Sequence, residues 1–199
     1  MLGPFYLHML ELNEIVHDLA TALKAVDATG PVGRSKTRTY QPGVGPLTEA
    51  AALQAAYSYL AQTHPDRYRT CAPRELCDMT LEDDWALEAK LIRPFGDNGK
   101  PAEHWSENVL HPYPGNISSI GDCLKLVASK LCKRKAAIVF GYEHTPAIVS
   151  LEPAVQSFEL IARNVLGIAL GARQHAFTSG LIHPVHQQLH VYGWEVHST

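Results

Sequence analysis

A chain of 199 residues, with 17 Lys and Arg against 20 Asp and Glu, can bury one sizeable core and carries a formal net charge of -3. That balance excludes a polybasic chain held to nucleic acid by overall charge, so any positive contact surface must be local. No apolar run reaches membrane-spanning length, and Cys71, Cys77, Cys123 and Cys132 lack the C-x-x-C spacing of zinc ribbons and thioredoxin-like sites. The expectation is a cytoplasmic protein with reduced thiols, no signal peptide and no membrane partner.

Residues 7–26 are predicted to form the first helix, because Leu12, Ile15, Val16, Leu19, Leu23 and Val26 recur at helical spacing and Gly30-Pro31 stops it. The stretch that follows holds Arg34, Lys36 and Arg38, then Gln41-Pro42-Gly43-Val44-Gly45-Pro46, and its density of Pro and Gly predicts irregular chain. A second helix is expected over 48–63, burying Leu53, Ala56 and Leu60. Glu49 lies four residues before Leu53 and so shares that face. Strands are expected at 75–81 and 85–93, joined by Glu82-Asp83-Asp84, and then a long loop over 95–116 with a turn at Asn98-Gly99.

Ser118 or Ser119 caps a third helix with the stripe Ile120, Leu124, Val127, Ala128 and Leu131. The apolar run 136–142 is short enough to be a central strand. A fourth helix is expected over 152–169, with Val155, Phe158, Ala162, Val165 and Ala169 facing the core and Gly171 past its end. Strands near 176–182 and 189–196 close the chain. Helices mixed with strands predict an α/β fold, a mixed β-sheet flanked by α-helices. One domain over 1–199 is expected, with an N-terminal helix and basic loop at 1–45 and an α/β core at 46–199.

The chemistry concentrates on the strand WALEAKLI. Side chains alternate, so Glu88 and Lys90 share a face. Asp78 lies ten residues before Glu88, and a tight turn at 82–84 would bring the two carboxylates to one point. A hard divalent cation, Mg²⁺ or Mn²⁺, resolves the repulsion of paired carboxylates and accepts phosphate oxygens. A neighbouring lysine can orient water or offset developing charge.

A helical acid, an Asp on one strand and E-x-K on the next, followed by helix and strand, resembles the PD-(D/E)xK nuclease superfamily. The likeness covers residues 46–142. Its Asp corresponds to Asp78, preceded here by Cys77 rather than Pro, its E-x-K to Glu88-Ala89-Lys90, and its helical acid to Glu49. The resemblance implies a restriction-endonuclease-like fold and a metal-dependent endonuclease acting on DNA, with RNA left open. Asp78, Glu88 and Glu49 would then be metal ligands, with Lys90 orienting the attacking water. Cutting both strands of a duplex with a small subunit implies a homodimer, for which the first helix is a candidate interface.

Asp122 and Lys125 read first as a surface pair worth a few tenths of a kcal/mol. In the functional alternative Lys125 contacts a substrate phosphate. Arg34, Lys36 and Arg38, with Lys130, Lys133, Arg134 and Lys135, are further phosphate candidates, and His104 and His111 in the long loop could contact substrate or shuttle protons. Two other readings stand beside the nuclease. One is a non-catalytic nucleic-acid or protein-binding domain of the same fold. The other is a His-based metal hydrolase using His183 and His186, for which imidazole favours Zn²⁺.

Overall fold

The computed structural model describes residues 10–34, 39–68, 72–74, 77–81, 85–113, 117–131 and 134–197. Helix α1 (Leu12–Ala28) starts after an extended Glu11, whose N–H donates to the Glu14 carboxylate at 2.9 Å. Residues 10 and 11 are therefore outside the helix, and 7–9 lie outside the described residues. The stretch expected to be irregular contains two short strands, β1 (Val32–Arg34) and β2 (Thr39–Pro42), paired antiparallel. Pro42 is tolerated because it ends β2, where no ladder N–H is needed. Helix α2 (Glu49–Thr63) is capped by Thr48, whose hydroxyl accepts the Ala51 N–H, and is followed by the short α3 (Pro65–Tyr68).

Strands β3 (Ala72–Arg74), β4 (Cys77–Leu81) and β5 (Trp85–Ile92) form an antiparallel meander. Sequence patterning misses β3, which at three residues is too short to show a period. After α4 (Glu107–Leu110) within the long loop, helix α5 (Ser119–Ala128) crosses over to β6 (Arg134–Glu143), which lies parallel to β5. Helix α6 (Glu152–Leu160) continues into a π-helical turn, Ile161–Val165. Strands β7 (Ala169–Leu170) and β8 (Gln174–Ser179) both pair antiparallel with β9 (Gln188–His197), which pairs antiparallel with β6. The sheet runs β3-β4-β5-β6-β9-β7, with β8 also alongside β9. It is a mixed sheet flanked by helices. Among the described residues, no helix is long and apolar enough to cross a membrane.

One face of the sheet, including Leu87, Ala89, Leu91, Ile138 and Phe140, packs under α1 and α2. The other, including Ile92, Val139, Tyr192 and Trp194, packs under α5 and α6. The apolar stripe of α1 is spent in this core. A Cβ at Gly193 on β9 would lie 2.6 Å from Val16 Cγ2, so glycine sets the close approach of helix to sheet.

Val165 and Ala169, expected in the core, are exposed. The π turn, closed by Leu166 N–H on Ile161 O at 3.0 Å, inserts one residue into the helical repeat and rotates Val165 outward. Gly167, at φ 67°, then ends the helix four residues before Gly171.

Candidate active site

Strand β5 outruns its neighbour β4, and its free edge builds the site. The register Met79↔Leu87 places Asp78 across from Glu88. Asp78 Oδ2 accepts the Ala89 N–H at 2.8 Å, and Glu49 Oε2 accepts the Leu91 N–H at 2.7 Å. Where β4 no longer supplies carbonyls, two carboxylates from different elements take the alternate outward N–H groups of β5. This satisfies donors that burial would otherwise strand and fixes both acids beside Glu88 and Lys90.

The other side of the cluster comes from α5. Ser118 caps this helix by accepting the Gly121 N–H at 3.1 Å. Its buried large apolar positions are Ile120, Cys123 and Leu126, whereas Leu124 and Val127 are only partly buried and Ala128 is exposed. The helix is thus turned from the orientation its leucine stripe suggested, and the turn carries Asp122 inward, to 8 % exposure. Lys90 Nζ sits between Asp122 Oδ2 at 3.4 Å and Glu49 Oε1 at 3.5 Å. Lys125, one turn along α5, places Nζ 2.5 Å from Glu88 Oε1. Asp122 and Lys125 are therefore not a surface pair with one another; each reaches into β5.

The electrostatics follow from this crowding. Burial pushes Glu88 up to about 7, Lys125 opposes the rise, and Asp78 and Asp122 add to it. Burial likewise lifts Asp122 to about 6 against the pull of Lys90. Burial opposes the charge on Lys90, but Asp122, Glu49 and Asp78 outweigh it and hold its pKa above the ordinary lysine value. Lys90 is a permanent cation and donor here, not a base.

Among the described residues, no group of three or more His, Cys, Asp or Glu side chains is gathered closely enough to hold a metal ion. The two lysines stand between the acids. The donor set nonetheless suits a hard cation, because it consists of carboxylate oxygens. The buried Asp122 Oδ2 makes no hydrogen bond beyond its long approach to Lys90.

A cleft of about 780 Å³ borders the cluster through Glu49 and Leu91, and is walled by Arg93, Phe95, His104 and Trp105. His104 is held by Glu107 at 2.8 Å, while His111 lies edge-on to Tyr113 with ring centroids 5.0 Å apart. Lys36 and Arg38 lie outside the described residues, as do Lys133 and the side chain of Arg34. Two phosphate candidates are otherwise engaged. Arg134 binds Glu195 at 3.1 Å and Glu11 at 3.1 Å and lies over the Trp85 ring, and the buried Lys135 donates to Ser129 O.

Among the described residues, His183 and His186 are not joined by a third His, Cys, Asp or Glu into a metal-holding group. His183 Nδ1 accepts the N–H groups of Val185 at 3.2 Å and His186 at 3.3 Å, which assigns its proton to Nε2. His186 Nε2 meets Phe95 O at 3.0 Å. His190 stands apart on β9, coplanar with His175 and 3.1 Å from it.

No family model, curated protein or solved structure matches this chain.

Proposed function

We propose that this protein is a Mg²⁺- or Mn²⁺-dependent endonuclease of restriction-endonuclease-like fold acting on DNA. The observation that carries the reading is that Glu49 and Asp78 are fixed on the backbone of β5 beside Glu88 and Lys90, with Lys90 held by Glu49 from 41 residues away. Support also comes from the element order α2, β3-β4-β5, α5, β6, with β5 and β6 parallel, which follows the family core that the sequence resembles.

In this reading Asp78 and Glu88 hold the cation and Glu49 assists. The bound ion supplies charge at the attacked phosphate and a water of lowered pKa. Lys90, kept protonated by its carboxylates, orients that water as a donor and offsets negative charge at the phosphate. Asp122 fixes the lysine from the far side. Lys125 serves the substrate phosphate. A duplex needs two cuts, so the active species is a homodimer, and the buried thiol of Cys123 suits the reducing cytoplasm.

The competing reading, a non-catalytic binding domain of the same fold, draws on one observation. Glu49 and Asp78 each already have a structural duty on the β5 edge. Nicking of supercoiled plasmid in Mg²⁺ or Mn²⁺ decides between them. Cutting by the wild type that Glu88→Gln and Lys90→Met abolish is the expected result. A folded wild type that cuts neither DNA nor RNA and does not bind Mn²⁺ overturns the nuclease reading.

A further inference from the structure

The two lysines of the cluster are held differently. Lys90 rises from the middle of β5, its side chain is 13 % exposed, and two carboxylates from separate helices flank it. Lys125 projects from α5 with its side chain 47 % exposed, and reaches Glu88, whose side chain is 3 % exposed. A carboxylate buried that deeply needs a counter-charge, and Lys125 supplies it from the solvent side. A lysine is a point charge on a flexible four-carbon stem, and the exposed half of that stem gives it a path back to water. Lys125 covers Oε1 of Glu88, and carboxylate oxygens are the hard donors that divalent cations take.

From this we infer that Lys125 is a displaceable counter-ion. It neutralises Glu88 while the site holds no cation, and releases Glu88 when a divalent cation binds. Once released, it carries its charge to the substrate phosphate. The inference rests on the metal-dependent reading above. Lys90 cannot exchange in this way, since leaving would strand the buried Asp122. Because Lys125 and the cation claim the same oxygen, whatever draws Lys125 away favours the cation, and the converse holds by linkage.

Mn²⁺ binding to the full chain, followed by electron paramagnetic resonance of the free ion, tests this. The variants are Lys125→Met, Lys125→Arg and Glu88→Gln. Lys125→Met removes the competitor and should bind Mn²⁺ about fivefold tighter than the wild type. Lys125→Arg keeps the charge over Glu88 and should return affinity to within about twofold of wild type. Glu88→Gln should lose binding. Tighter binding cannot arise from a damaged fold, so it separates competition from a structural role. Wild type that binds Mn²⁺ with Lys125→Met equal or weaker overturns the inference and leaves the nuclease reading standing. Failure of wild type and Lys125→Met alike to bind Mn²⁺ overturns both.

Discussion

Lys90 Nζ lies 3.4 Å from Asp122 Oδ2, joining the middle of β5 to the first turn of the helix that carries the chain across to β6. The contact spans 32 residues of sequence and sets the direction of the one cation buried in the cluster. Together with Glu49 on the opposite side, it makes Lys90 a fixed charge.

Removing either member should separate orientation from charge. Lys90→Met should lower plasmid nicking by more than about 100-fold, the usual cost of losing a donor aimed at developing charge. Asp122→Asn keeps the shape but loosens the lysine, and should cost about tenfold. Initial rates at saturating Mn²⁺ measure both, and Mn²⁺ affinity should survive in Lys90→Met. Equal rates for Lys90→Met and wild type would remove Lys90 from the chemistry.

Glu88 and Asp122 predict an unusual pH response of stability. Both have folded pKa values raised above their unfolded ones, to about 7 and about 6. The folded state therefore holds the extra protons, and the contribution is fully present below the unfolded carboxylate range. It is lost as pH rises through 6 and 7. In EDTA, thermal melts should show a falling contribution from pH 5 to pH 8, and Mg²⁺ should stabilise most at the upper end. Glu88→Gln should flatten the profile and gain about 1–3 kcal/mol above pH 7. An unchanged profile in Glu88→Gln would place the titration elsewhere.

Asp27 is a buried carboxylate with a structural duty away from the β5 cluster. It is 1 % exposed, and its two oxygens accept the N–H groups of Val44 at 3.0 Å and Ile182 at 2.7 Å, tying two loops to the end of α1. Asp27→Ala strands both donors and should cost about 2–5 kcal/mol in urea unfolding. Asp27→Asn keeps an acceptor and should cost less than Asp27→Ala.

Gly193→Ala tests the seating of α1. The new methyl would meet Val16 Cγ2 at 2.6 Å and Ile138 Cδ1 at 3.1 Å, so helix and sheet must part. A loss of about 1–3 kcal/mol is expected, read as a lower unfolding midpoint. Full stability would show that the α1–β9 seam yields more easily than its packing indicates.

His183→Ala and His186→Ala should lower stability and leave the metal dependence of nicking unchanged, since both imidazoles are buried, at 0 % and 1 % exposure, and each commits one ring nitrogen to backbone groups. Zinc dependence lost in either variant would restore the histidine-based hydrolase.

The sequence by itself determined what repeats within one element. Thr48 and Ser118 mark the starts of α2 and α5, the stripe of α1 is buried as spaced, and the two-residue period of β5 sets Glu88 and Lys90 on one face. Periodicity reports the direction of a side chain relative to its own backbone and carries no information on how far an element is rotated against its neighbour. The tertiary structure therefore decided that α5 turns to bury Cys123 and Leu126, bringing Asp122 and Lys125 to β5. It decided that β5 outruns β4, so that Glu49 and Asp78 take the exposed N–H groups of its edge. It also decided that a π turn rotates Val165 to solvent. A helix stripe is read by hydrophobicity alone, whereas the crossover from β5 to β6 fixes rotation by packing volume and by the buried charges that must find partners.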